Sequence, residues 1–351
     1  MKKWIIRCLI LIIPTYALVI LVNFFADPAN IYHASMTDDI VNGLKEHSAV
    51  EIAGDFDEGV LLDKRIAACD VHDVEIMGSS HVLYVDWDFD DYLNIGMSGE
   101  FLDDYYATVG LIDIYDKYPD TLVIGVDPYI FMDGLSIRQE SLKDDLEYAD
   151  KLIKGGSSKK SPIDLSGLKK VKELFSFSYF QSSVSAMING VNATYVNPVD
   201  DIDRGDYPKI LYTGRRVPSL TSQKEIQDMD SAAQWDISAG AVYCMTDYEE
   251  LSPVCIERFE ILIDYILSKG TEVIIYLPAW YPDYYDEFTK NDKFSGVIKA
   301  EEYIRKMAKE RGIEVRGSYN PYDCGLNKED YLDHFHLKPE GGLKNYNVII
   351  K

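Results

Sequence analysis

The chain is poor in cysteine and poor in positive charge, and it has no phosphate-binding loop. Five cysteines among 351 residues are too few for a disulfide-built scaffold. None has C-x-x-C spacing, so a zinc site is not expected. Cys69, Cys244, Cys255 and Cys324 fit one or two bridges as well as reduced thiols packed as small hydrophobes. Lys and Arg number 35 against 59 Asp and Glu, a net charge of −24. Nucleic acid is bound through clustered Lys and Arg, so such a partner is excluded, and tight docking on anionic lipid head groups is disfavoured too. Gly155-Gly156-Ser157-Ser158-Lys159-Lys160 lacks the G-x-x-x-x-G-K-[ST] spacing of a phosphate loop and reads as a hinge or surface turn.

What is present begins with an apolar run. Residues 4–25 carry one charge, Arg7, with Lys2 and Lys3 before them and Asp27 after. A helix of that length, at ~1.5 Å per residue, just spans a ~30 Å hydrocarbon core. The basic residues on its leading side place the N-terminus in the cytoplasm and the body outside. A cleaved signal peptide is the competing reading, but its apolar region is usually shorter and no A-x-A-like site follows. A membrane span tolerates the kink at Pro14. The organisation expected is a cytoplasmic tip and transmembrane anchor over 1–27, a stalk and entry segment over 28–70, and an α/β domain over 71–351 with an insertion at about 130–240.

Inside that domain, strands are expected at 73–77, 92–96, 121–126, 272–277 and 313–316. Helices are expected near 101–117, 251–269, 294–311 and 338–349. Leu122-Val123-Ile124 is a continuous apolar run suited to a strand covered on both faces. Strand, helix and strand in alternation imply a three-layer fold, a parallel sheet between crossover helices. A charged helix at about 138–154 and a second helical stretch at 165–189 fall in the insertion. Residues 190–238 have little periodicity.

Three stretches carry chemistry. Val74-Glu75-Ile76-Met77-Gly78-Ser79-Ser80-His81 is a short strand running into a glycine and two serines, which puts a small nucleophile at the carboxyl edge of a sheet, where open α/β folds bind ligands. Asn94-Ile95-Gly96-Met97-Ser98-Gly99 is a glycine-rich turn after a second strand. Asp333-His334-Phe335-His336 places an acid three residues before a base. A serine hydroxyl becomes a useful nucleophile when a neighbouring base takes its proton. His336 is the expected base and Asp333 the group that holds its other ring nitrogen. Ser79 is the alternative nucleophile, and His334 competes with His336. Asp330, His334 and His336 are an alternative metal ligand set, but no further ligand cluster accompanies them, so neither metal nor cofactor is expected.

These blocks, in this order, resemble those of the SGNH/GDSL hydrolase superfamily over roughly residues 72–345. The resemblance implies a flavodoxin-like sheet, Ser80, Asp333 and His336 as the catalytic residues, and the backbone N–H groups of Ser80 and Gly99 as oxyanion donors. The family's Gly-x-Asn-Asp block is met only by Gly125-Val126-Asp127-Pro128. A carboxylate there repels an oxyanion, so Asp127 is expected to do something else. The anchor and the double serine look most like the membrane-tethered branch near the teichoic-acid D-alanine-transfer and alginate-acetylation proteins. That implies an extracytoplasmic O-acyl esterase or acyltransferase acting on a cell-envelope glycan or polymer, with a membrane-bound O-acyltransferase as a possible partner. The alternative is a catalytically weak accessory protein of such a system. His81, Asp127, Trp280, Tyr281 and Arg215 are candidates for substrate contact: Trp280 and Tyr281 as sugar-stacking rings in the aromatic loop 279–285, and Arg215, with Arg216, as a clamp for phosphate or carboxylate.

Overall fold

The computed structural model describes residues 2–26, 36–54, 56–155, 174–189, 195–200, 202, 207–219 and 222–350, with side chains of the first helix described from residue 12 on. The strands in chain order are β1 (Ala49–Ala53), β2 (Val74–Met77), β3 (Tyr92–Asn94), β4 (Thr121–Gly125), β5 (Tyr195–Val199), β6 (Lys209–Leu211), β7 (Arg216–Val217), β8 (Glu272–Leu277) and β9 (Glu314–Gly317). Five of them form a sheet in the order β3-β2-β4-β8-β9, with every neighbouring pair parallel.

Side chains on a strand alternate between faces, and the apolar residues of this sheet divide accordingly. Met77, Leu122, Ile124, Ile275 and Leu277 face the helices Leu102–Tyr115, Pro253–Ser268 and Ser295–Arg311, which bring Tyr105, Val109, Phe259, Ile263 and Ile304. Ile76, Val123 and Tyr276 face the other way, onto Val82, Val85, Trp87 and Tyr346, the last from the helix Pro339–Tyr346. Two covered faces explain why β4 reads as an unbroken apolar run. The chain leaves β2 for β3 on one side and returns to β4 on the other. The carboxyl ends of β2 and β4 therefore flank the point where strand order reverses, the place at which such sheets hold ligands.

The expected stalk is instead folded in its described part. The helix Met36–Glu46 sets Met36, Ile40, Val41 and Leu44 against Val50, Ile52, Leu61 and Ile210. β1 is the second strand of an antiparallel sheet ordered β5-β1-β6-β7, paired through Ala49 with both Val199 and Leu211. Residues 190–238, in which no periodicity was expected to show, supply the other three strands. They are too short, at two to five residues, for alternation to stand out. The turn Gly155–Lys160 from its second residue on, and the first part of the 165–189 stretch, lie outside the described residues. The described part of that stretch contains the helix Phe177–Asn189.

The first helix, Lys2–Ala26, packs on Phe177–Asn189. The Asn23 amide donates to the Leu174 and Ser176 carbonyls at 2.9 and 3.1 Å, and Tyr16 meets the Phe177 ring edge-on. The side chains of this helix are described only from residue 12 on, and within the described residues no helix is long and apolar enough to cross a membrane.

Candidate active site

The site is built from the turn that follows β2. Gly78 has φ +140°, and a Cβ there would lie 2.7 Å from the Gly125 carbonyl oxygen, so only glycine passes this close to β4. Ser79 then caps the short helix Ser80–Leu83, its Oγ accepting from the His81 N–H at 3.2 Å. Val82, one residue past His81, is buried where a Cβ on Gly96 or Gly125 would strike its methyl groups. Met97 N–H donates to the Gly78 carbonyl at 3.1 Å, which fastens the 94–99 turn to the serine turn. Asn94 is part of that fastening. Its amide donates to Val82 O at 2.8 Å and its Oδ1 accepts from Gly96 N–H.

The two serines have different surroundings. Ser79 is buried and donates its hydroxyl to Asp127 Oδ2 at 2.5 Å. Ser80 is partly exposed, with Oγ 2.8 Å from His336 Nε2. His336 Nδ1 lies 2.9 Å from Asp333 Oδ2 and 3.0 Å from Oδ1. A proton on Nδ1 shared with the carboxylate leaves Nε2 to accept from the Ser80 hydroxyl. Asp333 Oδ1 also accepts the N–H groups of Phe335 and His336 at 2.7 and 2.8 Å. Burial alone would raise the Asp333 pKa, but the His336 ring and these two N–H groups outweigh it and hold the carboxyl well below the ordinary carboxylate range. The loop is closed by a bridge between Tyr331 and Leu337.

Beside this chain runs a second one that the sequence did not reveal as a unit. Asp127 is 1% exposed and accepts from Ser79, from His81 Nδ1 at 2.7 Å and from the Tyr129 hydroxyl at 3.1 Å. His81 Nε2 in turn lies 3.1 Å from the Phe335 carbonyl. Burial would lower the His81 pKa, but the Asp127 carboxylate more than offsets it and the value is raised. As an imidazolium, His81 donates from both ring nitrogens, so Asp127 and His81 tie the end of β4 to the loop that carries Asp333 and His336. Both were candidates for substrate contact. The structure instead commits Asp127 wholly to internal hydrogen bonds, and His81 to the same network.

Three other expectations are corrected. Trp280 and Tyr281 are 1% and 0% exposed and present no face for a sugar. Trp280 packs edge-on against His81 at 5.4 Å, and the Tyr281 hydroxyl donates to Asp230. Arg215 pairs with Asp86 at 3.2 Å and does not reach the site, whereas its neighbour Arg216 does. Arg216 Nη1 lies 2.9 Å from Glu58 Oε1 and 3.2 Å from Ser98 Oγ, and Glu58 also accepts the Ser98 hydroxyl at 2.9 Å. Glu58 carried no sequence signal, because its partners come from distant parts of the chain.

Gly99, the other expected oxyanion donor, has φ +67°, and a Cβ on it would meet the Tyr243 hydroxyl at 2.6 Å. Its N–H has no backbone acceptor among the described residues. The Ser80 N–H stands at a helix start, where backbone donors lack an intrahelical partner. His334 lies 3.8 Å from Asp236 and meets the Phe335 ring at a tilt, while Asp330 accepts from Asn327 N–H. The alternative metal trio is therefore not assembled, and among the described residues no group of three His, Cys, Asp or Glu is placed to hold a metal ion. Cys69, Cys244, Cys255 and Cys324 are unbridged.

A cavity of about 390 Å³ opens against His336 and Asp333, walled by Glu58, Tyr84, Lys209 and Arg216 and by apolar residues of the second sheet such as Ile52 and Ile210. The arrangement joins a hydroxyl, an imidazole and a carboxylate in hydrogen-bonded series, next to a space able to hold an acyl group or a small part of a larger acceptor. No known family model matches the chain, and no curated protein is significantly similar to it.

Proposed function

We propose that the protein is a serine-dependent O-acyl esterase or acyltransferase of the SGNH type, held at a membrane by its first helix and acting outside the cytoplasm on a glycan or polymer of the cell envelope. The observation that carries this reading is the series Asp333–His336–Ser80, at 2.9 and 2.8 Å, at the strand-order reversal of a parallel sheet.

In this reading Ser80 Oγ attacks the ester carbonyl as His336 Nε2 takes the hydroxyl proton. Asp333 holds the ring and stabilises the imidazolium. The charge on the carbonyl oxygen falls to the N–H groups of Ser80 and Gly99. The leaving alcohol takes the proton from His336, and an acyl-serine remains. Water then releases a carboxylic acid, or an acceptor hydroxyl takes the acyl group, with His336 again removing the proton. The anchor rests on the composition of residues 4–25 and on Ile12, Ile13, Leu18, Leu21 and Phe25, which stand exposed on the first helix.

The test is labelling of the full-length protein with a fluorophosphonate probe, beside Ser80→Ala and His336→Ala variants. Labelling that disappears in both variants is expected. A folded wild type that takes no label would overturn the acyl-enzyme mechanism and leave the accessory-protein reading.

A further inference from the structure

The cavity beside His336 contains a charge that the catalytic series does not use. Lys209 opens β6, lines the cavity and is 3% exposed. No carboxylate among the described residues lies within ion-pair distance of its ammonium. Glu51 stands opposite it in register, but the Glu51 carboxylate accepts from Tyr207 N–H at 3.2 Å. The other charges of the wall are engaged. Arg216 is met by Glu58, and Asp333 is turned to the His336 ring and two N–H groups. A buried ammonium without a counter-ion is unfavourable, and here it is retained at the edge of an open cavity in a chain whose net charge is −24.

We propose that this cavity recognises an anionic group of the substrate, a phosphate or a carboxylate, with Lys209 as the principal counter-charge and Arg216 as a second donor. The proposal rests on the acyl-transfer reading of the adjoining series. It narrows the substrate to an ester whose acyl or alcohol part bears a negative charge close to the scissile bond. Phosphate and carboxylate share the chemistry an ammonium reads, a compact anion accepting several hydrogen bonds. A protein this acidic repels anions over its surface generally, so saturable anion binding reports on a particular site.

The experiment is calorimetric titration of the full-length protein with glycerol phosphate and with galacturonate, using glycerol and galactose as the uncharged counterparts. It is repeated on Lys209→Met, which keeps the length of the stem, and on Lys209→Arg, which keeps the charge. Saturable binding of one or both anions is expected, about tenfold or more tighter than the neutral counterpart, the size of one charge-assisted contact. Lys209→Met abolishes that preference and Lys209→Arg retains most of it. Whichever anion binds more tightly identifies the source of the charge. Equal affinity for charged and neutral compounds, absence of binding, or a preference that survives in Lys209→Met overturns the inference. If Lys209→Met does not fold, loss of the preference in Lys209→Arg overturns it. Serine-probe labelling of the same samples separates the two readings. Labelled protein without anion preference refutes the anion site alone, and anion preference without labelling refutes the acyl-enzyme alone.

Discussion

Replacing Asp127 with Asn tests whether the second hydrogen-bonded chain holds the first in place. Among the described residues Asp127 is the carboxylate paired with the buried His81 imidazolium, at 2.7 Å from Nδ1, and Asp333 adds a weaker pull from farther off. Asn keeps an oxygen for Nδ1–H but removes the charge. Burial then drives His81 toward the neutral form. A single proton on Nδ1 leaves Nε2 bare, with its lone pair facing the Phe335 carbonyl now 3.1 Å away. Breaking a buried pair from one side costs about 3–5 kcal/mol, and the retained Nδ1–H···O bond puts this case at the low end. At roughly 2–4 °C per kcal/mol for a larger domain, the midpoint of thermal unfolding falls by about 6–12 °C.

The pH dependence gives the test its sign. The folded His81 pKa is raised above its unfolded value, so its stabilisation is complete below about 6.5 and is lost as pH rises through the folded value. The gap between wild type and Asp127→Asn is therefore widest near pH 6 and narrows on the alkaline side. Because His81 holds the carbonyl between His334 and His336, the base also moves. A shift of about 1 Å at a reacting group costs on the order of a hundredfold in rate, to be read as the rate of serine-probe labelling at pH 7. Parent-like labelling, or a destabilisation that does not change with pH, would refute the argument.

Four further outcomes follow from the geometry. Ser79→Ala, which removes a buried hydroxyl from Asp127, loses about 1–3 kcal/mol in denaturant unfolding yet still takes the probe, whereas intact-mass analysis finds Ser80→Ala unlabelled. Glu75 is buried and its pKa pushed up to about 8; a carboxyl kept neutral only in the folded state destabilises increasingly above pH ~4.5, by about 1.4 kcal/mol per pH unit until its folded value is passed. Glu75→Gln therefore gains on wild type between pH 5 and 8 in a series of melts, and a constant offset would exclude this cause. Asp333, whose pKa is depressed, contributes stability above about 3.9 that is lost as pH falls through its folded value; Asp333→Asn accordingly shows a shallower acid limb of the melting curve and much slower labelling. Gly96→Ala places a methyl group 2.6 Å from the Gly78 carbonyl and from Val82, so it lowers thermal stability and labelling together, and an unchanged labelling rate would show that the 94–99 turn does not set the serine turn.

The central sheet was legible because its strands carry apolar residues on both faces and are punctuated by glycine or proline. β8 was expected over the residues it occupies, and β2, β4 and β9 within a residue or two at either end. Ser80, Asp333 and His336 were singled out by the order of three short blocks, as the superfamily resemblance implies, and not by their spacing, since Ser80 is far from the other two in sequence. The side chains around them were not. Arg215 and Arg216 are neighbours in sequence, and on an extended backbone neighbours point to opposite sides. Which of the two reaches the site depends on the pairing of Arg216 with Ile210, a register that composition does not encode. Trp280 and Tyr281 read as a loop surface because they follow a strand and a proline, yet they close the core beneath His81. An aromatic run carries no mark of which way it faces.

The second sheet was missed for the same reason, and it determines what kind of site this is. β1 pairs with β5 and β6 from within the insertion, a contact of high sequence separation that local pattern cannot announce. Its consequence is a division of parts. Ser80 stands just past the end of β2, and Asp333 and His336 lie in the loop closed by the Tyr331–Leu337 bridge. The cavity takes Ile52, Phe56 and Glu58 from the segment before that sheet and Lys209, Ile210 and Arg216 from the insertion. Ile52, Lys209, Ile210 and Arg216 of the cavity wall thus belong to a different sheet from the one at whose edge Ser80 stands. The two meet at the Ser98–Glu58–Arg216 cluster and again at the turn between β6 and β7, where Asn94 N–H donates to the Thr213 carbonyl and Arg65 Nη2 to the Tyr212 carbonyl, both at 2.7 Å. Under the proposed function, a substitution at Lys209 or Ile210, which line the cavity from β6, is expected to change which anion enters while the 2.8 Å contact between Ser80 and His336 stays as it is.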